Sequence, residues 1–197
     1  MFRKLTTRDL INAGIFTLIY LAVFAVIDLI GVGGVYLMFI GWFLPILLNG
    51  IVVILYISRV PKIGAMTILS FFMGLGFGLA YGLYTFIGSV ILGFIADVVA
   101  TNAGKETKLQ PARAILGYAI LSMITALPIA SVLWHSDIYF NAVSSSVDQQ
   151  FSDQLRELLS PMVVLAAIGA LFVVALIGGW IGVKAWRKHF RRAGLAG

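Results

Sequence analysis

The sequence predicts an all-α integral membrane protein with six transmembrane helices, both termini in the cytoplasm and an amphipathic extracellular segment between helices 5 and 6. Of the 197 residues, 61% are hydrophobic and only 11% are charged, whereas a soluble domain has about 25% charged residues. Lipid can solvate that much apolar surface and water cannot. Six apolar stretches supply the predicted helices, in one domain that covers 1–197: 9–28, 35–58, 63–79, 81–100, 112–134 and 161–183.

The distribution of basic residues predicts the orientation of these helices. When the six stretches are threaded up and down, Arg156 lies alone on one side, and the positive-inside rule makes the other side cytoplasmic. The basic residues on that cytoplasmic side are Arg3, Lys4, Arg8, Arg59, Lys62, Lys105, Lys108, Arg113, Lys184, Arg187, Lys188, Arg191 and Arg192. Orientation and contact with anionic lipid explain the net charge of +6, so we expect no nucleic-acid partner.

The first two helices have recognisable boundaries. Thr7 is a suitable N-cap for helix 1, and Asp9 in the first turn suits the helix dipole. The glycine-rich segment 31–34 ends helix 1. Helix 2 contains Pro45, which predicts a kink, and residues 59–62 form a tight turn.

Helices 3 and 4 must be divided within one long apolar block. Residues 63–100 are too many for a single span of about 20 residues. The glycines of this block, Gly74, Gly76, Gly78 and Gly82, predict an outer hairpin. A single span would also place Lys105, Lys108 and Arg113 outside, against the positive-inside rule.

The longest polar stretch, 135–160, follows helix 5. Val147, Phe151, Leu155, Leu158 and Leu159 recur in it at helical spacing, which predicts an amphipathic helix on the outer face. Ser160 and Pro161 then make a favourable start for helix 6.

Aromatic residues are concentrated on the predicted outer side. They are typical of the belts found at membrane interfaces, and they could equally line a pocket in which a flat organic ligand stacks. His135 could also bind a metal or haem iron, although a lone histidine at an interface is more often only a hydrogen-bonding residue. The candidate pocket residues are Tyr36, Tyr81, Tyr84, Trp134, His135 and Tyr139.

Two carboxylates lie in or at the ends of the predicted spans. Asp97 is inside helix 4, where an ionisable group is costly and suggests function, unless it pairs with a basic loop residue at the interface. Asp28 at the end of helix 1 is either interfacial or part of a substrate site.

Small residues four apart allow transmembrane helices to approach closely. Ala13 and Thr17 on helix 1 have this spacing. They serve either packing within the bundle or docking of another membrane subunit.

Catalytic motifs are absent from the sequence. It contains no cysteine, no HExxH motif, no nucleophile elbow and no Walker-type loop. We therefore expect a binding protein without enzyme activity, resident cofactor or metal site.

The opening segment, residues 4–17, resembles the start of the Trep_Strep integral membrane family, also called MptD-type proposed S components of energy-coupling factor (ECF) transporters. Residues 93–97 are similar to the GxIAD segment of that family, and residues 134–140 are similar to its stretch after helix 5. The resemblance extends over most of the chain.

This resemblance implies a six-helix S component in a bacterial plasma membrane. Such a subunit binds a vitamin or similar micronutrient and works with a transmembrane T component and two cytoplasmic ATPases. The resemblance also implies that Ala13 and Thr17 contact the T component, although the family pattern has alanine where this chain has Thr17. The substrate would be a vitamin-like heterocycle or a porphyrin.

Three other classes remain open from the sequence alone. A stand-alone secondary transporter or channel would work without partners. A membrane enzyme would use Asp97 or His135 as its catalyst, but no second acid or base converges with them. A structural membrane subunit would bind no small molecule.

Overall fold

The fold is all-helical in the residues that a computed structural model describes, which are 4–105, 108–145 and 147–190. Arg3, Arg191 and Arg192, which were used in the orientation argument, lie outside these ranges. The α-helices in chain order are α1 (Thr7–Asp28), α2 (Val35–Arg59), α3 (Ala65–Tyr81), α4 (Leu83–Ala100), α5 (Pro111–Ser122), α6 (Ala126–Ala130), α7 (Ser136–Ser144), α8 (Gln149–Leu158) and α9 (Pro161–Ala185). Short 3-10 turns extend α1 and connect α5, α6 and α7, and a π-helical turn follows α9.

Five helical segments of the described chain are long and apolar enough to cross a membrane. They are Thr7–Gly31, Val35–Arg59, Leu83–Ala100, Pro111–Leu133 and Pro161–Lys188. The remaining apolar helix, Ala65–Tyr81, has 17 residues. The all-helical fold is therefore confirmed, while the number of spans and the sidedness of the termini stay predictions.

The start of α1 differs by one residue from the prediction. Thr6, not Thr7, is the N-cap, and it forms a capping box with Asp9. Thr6 accepts a hydrogen bond from the Asp9 backbone N–H, and the Asp9 carboxylate accepts from the Thr6 N–H at 2.7 Å. Asp9 also pairs with Lys62, which ties the start of α1 to the loop between α2 and α3.

The division between α3 and α4 falls at Gly82, whose φ of 102° few other residues adopt. The other glycines of the predicted hairpin have a different use. A Cβ atom at Gly74 would lie 2.7 Å from the Ser89 Cβ, and one at Gly78 would lie 2.9 Å from the Phe86 Cβ. Gly74 and Gly78 therefore allow α3 to pack closely along α4.

Asp97 of α4 caps the N-terminus of α3. Its carboxylate is 1% exposed and accepts hydrogen bonds from the backbone N–H groups of Gly64, Met66 and Thr67, each at 2.9 Å. The Thr67 hydroxyl donates a further bond at 2.6 Å. The observed partners of Asp97 are thus the amides at the start of α3 and the Thr67 hydroxyl. The sequence also allowed a basic loop residue as the partner, and none is observed among the described residues.

The α2 and α9 helices are in close backbone contact. A Cβ at Gly50 would lie 2.2 Å from the backbone carbonyl carbon of Gly178, and one at Gly182 would lie 2.4 Å from the Gly50 carbonyl oxygen. Because these three glycines have no side chain, the backbones of α2 and α9 can touch. Small residues allow helices in lipid to approach each other in the same way. The α5 helix packs against both α9 and α2 and contributes buried Tyr118, whose hydroxyl donates to the Ile46 carbonyl.

The polar stretch 135–160 folds as two helices: α8 corresponds to the predicted amphipathic helix, and α7 before it was not predicted. Tyr139 and Phe140 of α7 and Leu155 of α8 are buried in a cluster of their own with Val35 and Val164. This cluster lies at the end of the bundle formed by α7, α8 and the start of α9. We call it the α7–α8 end.

Candidate functional site

Two adjoining hollows at the α7–α8 end share four lining residues, Asp28, Trp42, Tyr81 and Tyr139. The inner hollow has a volume of about 60 Å³ and the outer one about 180 Å³. We call the pair the aromatic cavity. The inner part is completed by Phe24, Phe77, Thr125, Pro128 and Ile129, and the outer part by Gly31, Met38, Ala142, Val143, Val147 and Phe151.

Helical spacing explains why these side chains converge. Phe24 and Asp28 are four residues apart on α1, as are Phe77 and Tyr81 on α3, so each pair shares one helix face. Trp42 comes from the first half of α2. Tyr139 comes from α7, and this helix closes the cavity from the side of the polar stretch.

Four aromatic rings form a connected row across the cavity. Phe24 meets Phe77 edge-on at 6.1 Å between centroids, and Phe77 meets Tyr81 edge-on at 6.1 Å. Tyr81 stacks on Tyr139 at 5.8 Å, with 16° between the ring planes. Each such contact contributes about 0.5–1.5 kcal/mol beyond its buried area. The contacts therefore stabilise the arrangement of the four rings along one side of the cavity.

Tyr139 is held as a neutral phenol. Its side chain is 3% exposed. Burial raises its pKa well above the usual value, and the nearby Tyr81 and Asp28 act in the same direction. The hydroxyl therefore keeps its proton at physiological pH and can donate a hydrogen bond.

Asp28 supplies the only charged side chain in the lining of the aromatic cavity, which consists of described residues. Its carboxylate forms no hydrogen bond or ion pair with any other described residue, whereas Asp9 and Asp97 are both fully engaged. Asp28 as a whole residue is exposed, so the cavity is open to the outside of the bundle at this position. The cavity thus combines stacking surfaces with one free anionic group.

Only two of the six candidate pocket residues, Tyr81 and Tyr139, line the aromatic cavity. Tyr84 and Trp134 form a separate edge-on pair at 5.9 Å. Tyr36 is 81% exposed and borders a shallow depression next to α8. His135 is exposed and precedes α7.

Other lining residues were not selected from the sequence. Trp42 is an aromatic residue of the predicted outer side that is not among the candidate pocket residues, and Asp28 has both an interfacial and a substrate-site interpretation. Phe24 and Phe77 look like ordinary lipid-facing or core residues in an apolar helix. Each of them lies four residues before a lining residue, Asp28 or Tyr81, and so on the same helix face. This spacing predicts a shared site only when it is known which helices face each other.

Ala13 and Thr17 lie on the buried face of α1, at 1% and 3% exposure. Asp9 and Tyr20 continue the same face, which packs against α2 and α3. The two small residues thus serve packing inside the bundle. Their burial does not support a surface on which a second subunit could dock.

The aromatic cavity offers aromatic side chains, two phenol hydroxyls and one carboxylate, an arrangement suited to binding. Within the described residues, no three histidine, aspartate or glutamate side chains come together in a way that could hold a metal.

An all-helical fold with several apolar membrane-length helices and a small aromatic cavity at one end defines a multi-pass membrane protein. The chain belongs to the Trep_Strep family, which is described as a hypothetical bacterial integral membrane protein and whose model matches residues 7–192. The protein is therefore a multi-pass bacterial membrane protein. No curated protein and no solved structure gives a significant match to the chain.

Proposed function

We propose that this chain is the substrate-binding S component of an ECF-type importer in the bacterial plasma membrane. The observation that carries the proposal is the aromatic cavity, in which Trp42, Tyr81 and Tyr139 surround a space next to Asp28. Such a site would capture an aromatic micronutrient outside the cell. With the α7–α8 end outside the cell, both termini would lie in the cytoplasm, as the distribution of basic residues also predicts.

The cavity size favours a small ligand. Pockets for drug-sized molecules have volumes of about 300–1,000 Å³, and the two hollows measure about 60 and 180 Å³. A vitamin-like heterocycle of one or two rings suits this space better than a porphyrin. One ring could insert between Trp42 and the Tyr81–Tyr139 stack.

The energy for import would come from partner subunits. The chain carries no nucleotide-binding motif, so a T component and two cytoplasmic ATPases would drive release of the ligand inside. In this arrangement Ala13 and Thr17 act indirectly, because they hold α1 against the bundle. The T component would contact other residues.

A stand-alone secondary transporter is the alternative, and energy dependence separates the two. In the source bacterium, uptake of the micronutrient found with the purified protein should stop when ATP is depleted at constant membrane potential. The tagged protein should co-purify with two different ATPases and one further membrane subunit. Uptake by this chain alone in proteoliposomes would contradict the S-component proposal.

A further inference from the structure

We propose that the aromatic cavity selects an organic cation, a ligand whose positively charged nitrogen lies on or beside an aromatic ring. The inference rests on the proposed binding function and adds the charge class of the ligand. Asp28 and the faces of the surrounding rings carry it.

The rings supply the first part of the recognition. An aromatic face is negative and attracts a cation within about 6 Å of its centroid, most strongly when the ring is that of tryptophan. Trp42, Tyr81 and Tyr139 line both hollows, and Phe24 and Phe77 line the inner one. A cation in this space would be surrounded by aromatic side chains.

Asp28 supplies the second part. Its carboxylate borders both hollows and forms neither an ion pair nor a hydrogen bond with the other residues that the structure describes. A cationic ligand would neutralise it. A neutral ligand would leave the carboxylate unpaired and partly desolvated, which is unfavourable.

An anionic ligand has no partner in the cavity. Its lining contains no lysine, arginine or histidine. The α8 helix, whose Phe151 borders the outer hollow, carries Arg156, and the Arg156 side chain already has partners. The Arg156 guanidinium lies 4.3 Å from the centroid of the Phe140 ring and 3.7 Å from the Asp137 carboxylate.

The test uses three probes that share one ring and differ in charge: benzylammonium, benzyl alcohol and benzoate. Dissociation constants would be measured at pH 7 by equilibrium dialysis of the full-length protein in lipid nanodiscs, with protein-free nanodiscs as the reference for partitioning. Asp28→Asn removes the charge from the cavity. Asp153→Asn is the matched control, because Asp153 is an exposed carboxylate of α8 outside the lining.

We expect the wild-type protein and Asp153→Asn to bind benzylammonium about tenfold more tightly than benzyl alcohol, and to bind benzoate most weakly. Asp28→Asn should lose this preference and still bind benzyl alcohol, which also shows that the variant is folded. Equal affinities for the three probes in the wild type, or a cation preference that survives in Asp28→Asn, would overturn the inference.

These outcomes separate the inference from the proposed function. If the three probes bind equally and Trp42→Ala weakens all of them, the cavity remains a binding site and only the charge class is wrong. If no probe binds the wild-type protein, or if the probes bind and Trp42→Ala weakens none of them, the aromatic cavity fails as a ligand site, and the inference fails with it.

Discussion

Tyr81 at the end of α3 stacks on Tyr139 of α7, with ring centroids 5.8 Å apart and ring planes at 16°. This contact links the apolar helix α3 to the polar segment that closes the aromatic cavity. The two residues are far apart in the chain, so a ligand that touches both would connect the bundle to its cover. Several consequences of this arrangement can be measured.

Replacing Tyr81 with leucine should weaken binding of benzylammonium by about 3- to 10-fold, because one aromatic contact is worth about 0.5–1.5 kcal/mol. Affinity would be measured by equilibrium dialysis in nanodiscs. Tyr36→Leu is the control, since Tyr36 is 81% exposed and lies outside the cavity. Equal losses in both variants would show that the Tyr81–Tyr139 stack does not form the site.

Asp97→Ala should destabilise the fold by about 2–4 kcal/mol, because it removes a helix cap and leaves buried N–H groups without an acceptor. The measurement is unfolding of the purified protein by denaturant in mixed micelles. Asp137→Asn should change stability by less than about 0.5 kcal/mol, since its ion pair is exposed to solvent. A fully stable Asp97→Ala protein that has lost only transport would favour a direct functional role for Asp97.

Gly50→Ala should lower stability by several kcal/mol, because the added methyl group would overlap the Gly178 backbone. Gly169→Ala on α9 is the matched control, since a Cβ there meets nothing within 4 Å. That control should be neutral or slightly stabilising, as alanine is the better helix former. Thermal unfolding of both variants in the same detergent makes the comparison.

Ala13→Leu should destabilise the isolated protein by about 1–3 kcal/mol, because the residue is buried and a larger side chain overpacks the contact. Ala22→Leu on the exposed part of the same helix should be tolerated. Stability would be measured with no partner present. If Ala13→Leu were fully stable alone and failed only to assemble, Ala13 would be part of a docking surface after all.

The sequence predicts the helical membrane fold well, because long apolar stretches and loop charges depend only on local composition. It does not show what Asp97 does, since the α3 amides that it caps lie about thirty residues away along the chain. Stripes of small residues are equally ambiguous. Ala13 and Thr17 have the spacing of a docking face, and only their burial assigns them to internal packing.

Of the candidate pocket residues, only Tyr81 and Tyr139 line the aromatic cavity, because the sequence does not show which helices face each other. Tyr81 and Tyr84 are three residues apart and both aromatic, but Gly82 ends α3 between them and directs them to different neighbours. The sequence alone does not distinguish Asp28 from an interfacial residue. The distinction depends on its carboxylate bordering the cavity without a hydrogen-bond or ion-pair partner among the described residues. Convergence of α1, α2, α3 and α7 is a property of the packed bundle, and no single segment encodes it.

Mass spectrometry of compounds released from the gently purified protein shows whether the aromatic cavity holds a small molecule. We expect one small aromatic compound with a basic nitrogen, at close to one molecule per chain, and its loss from Trp42→Ala purified in the same way. A compound present equally in both preparations, or none in either after growth in rich medium, would show that the aromatic cavity is not a ligand site.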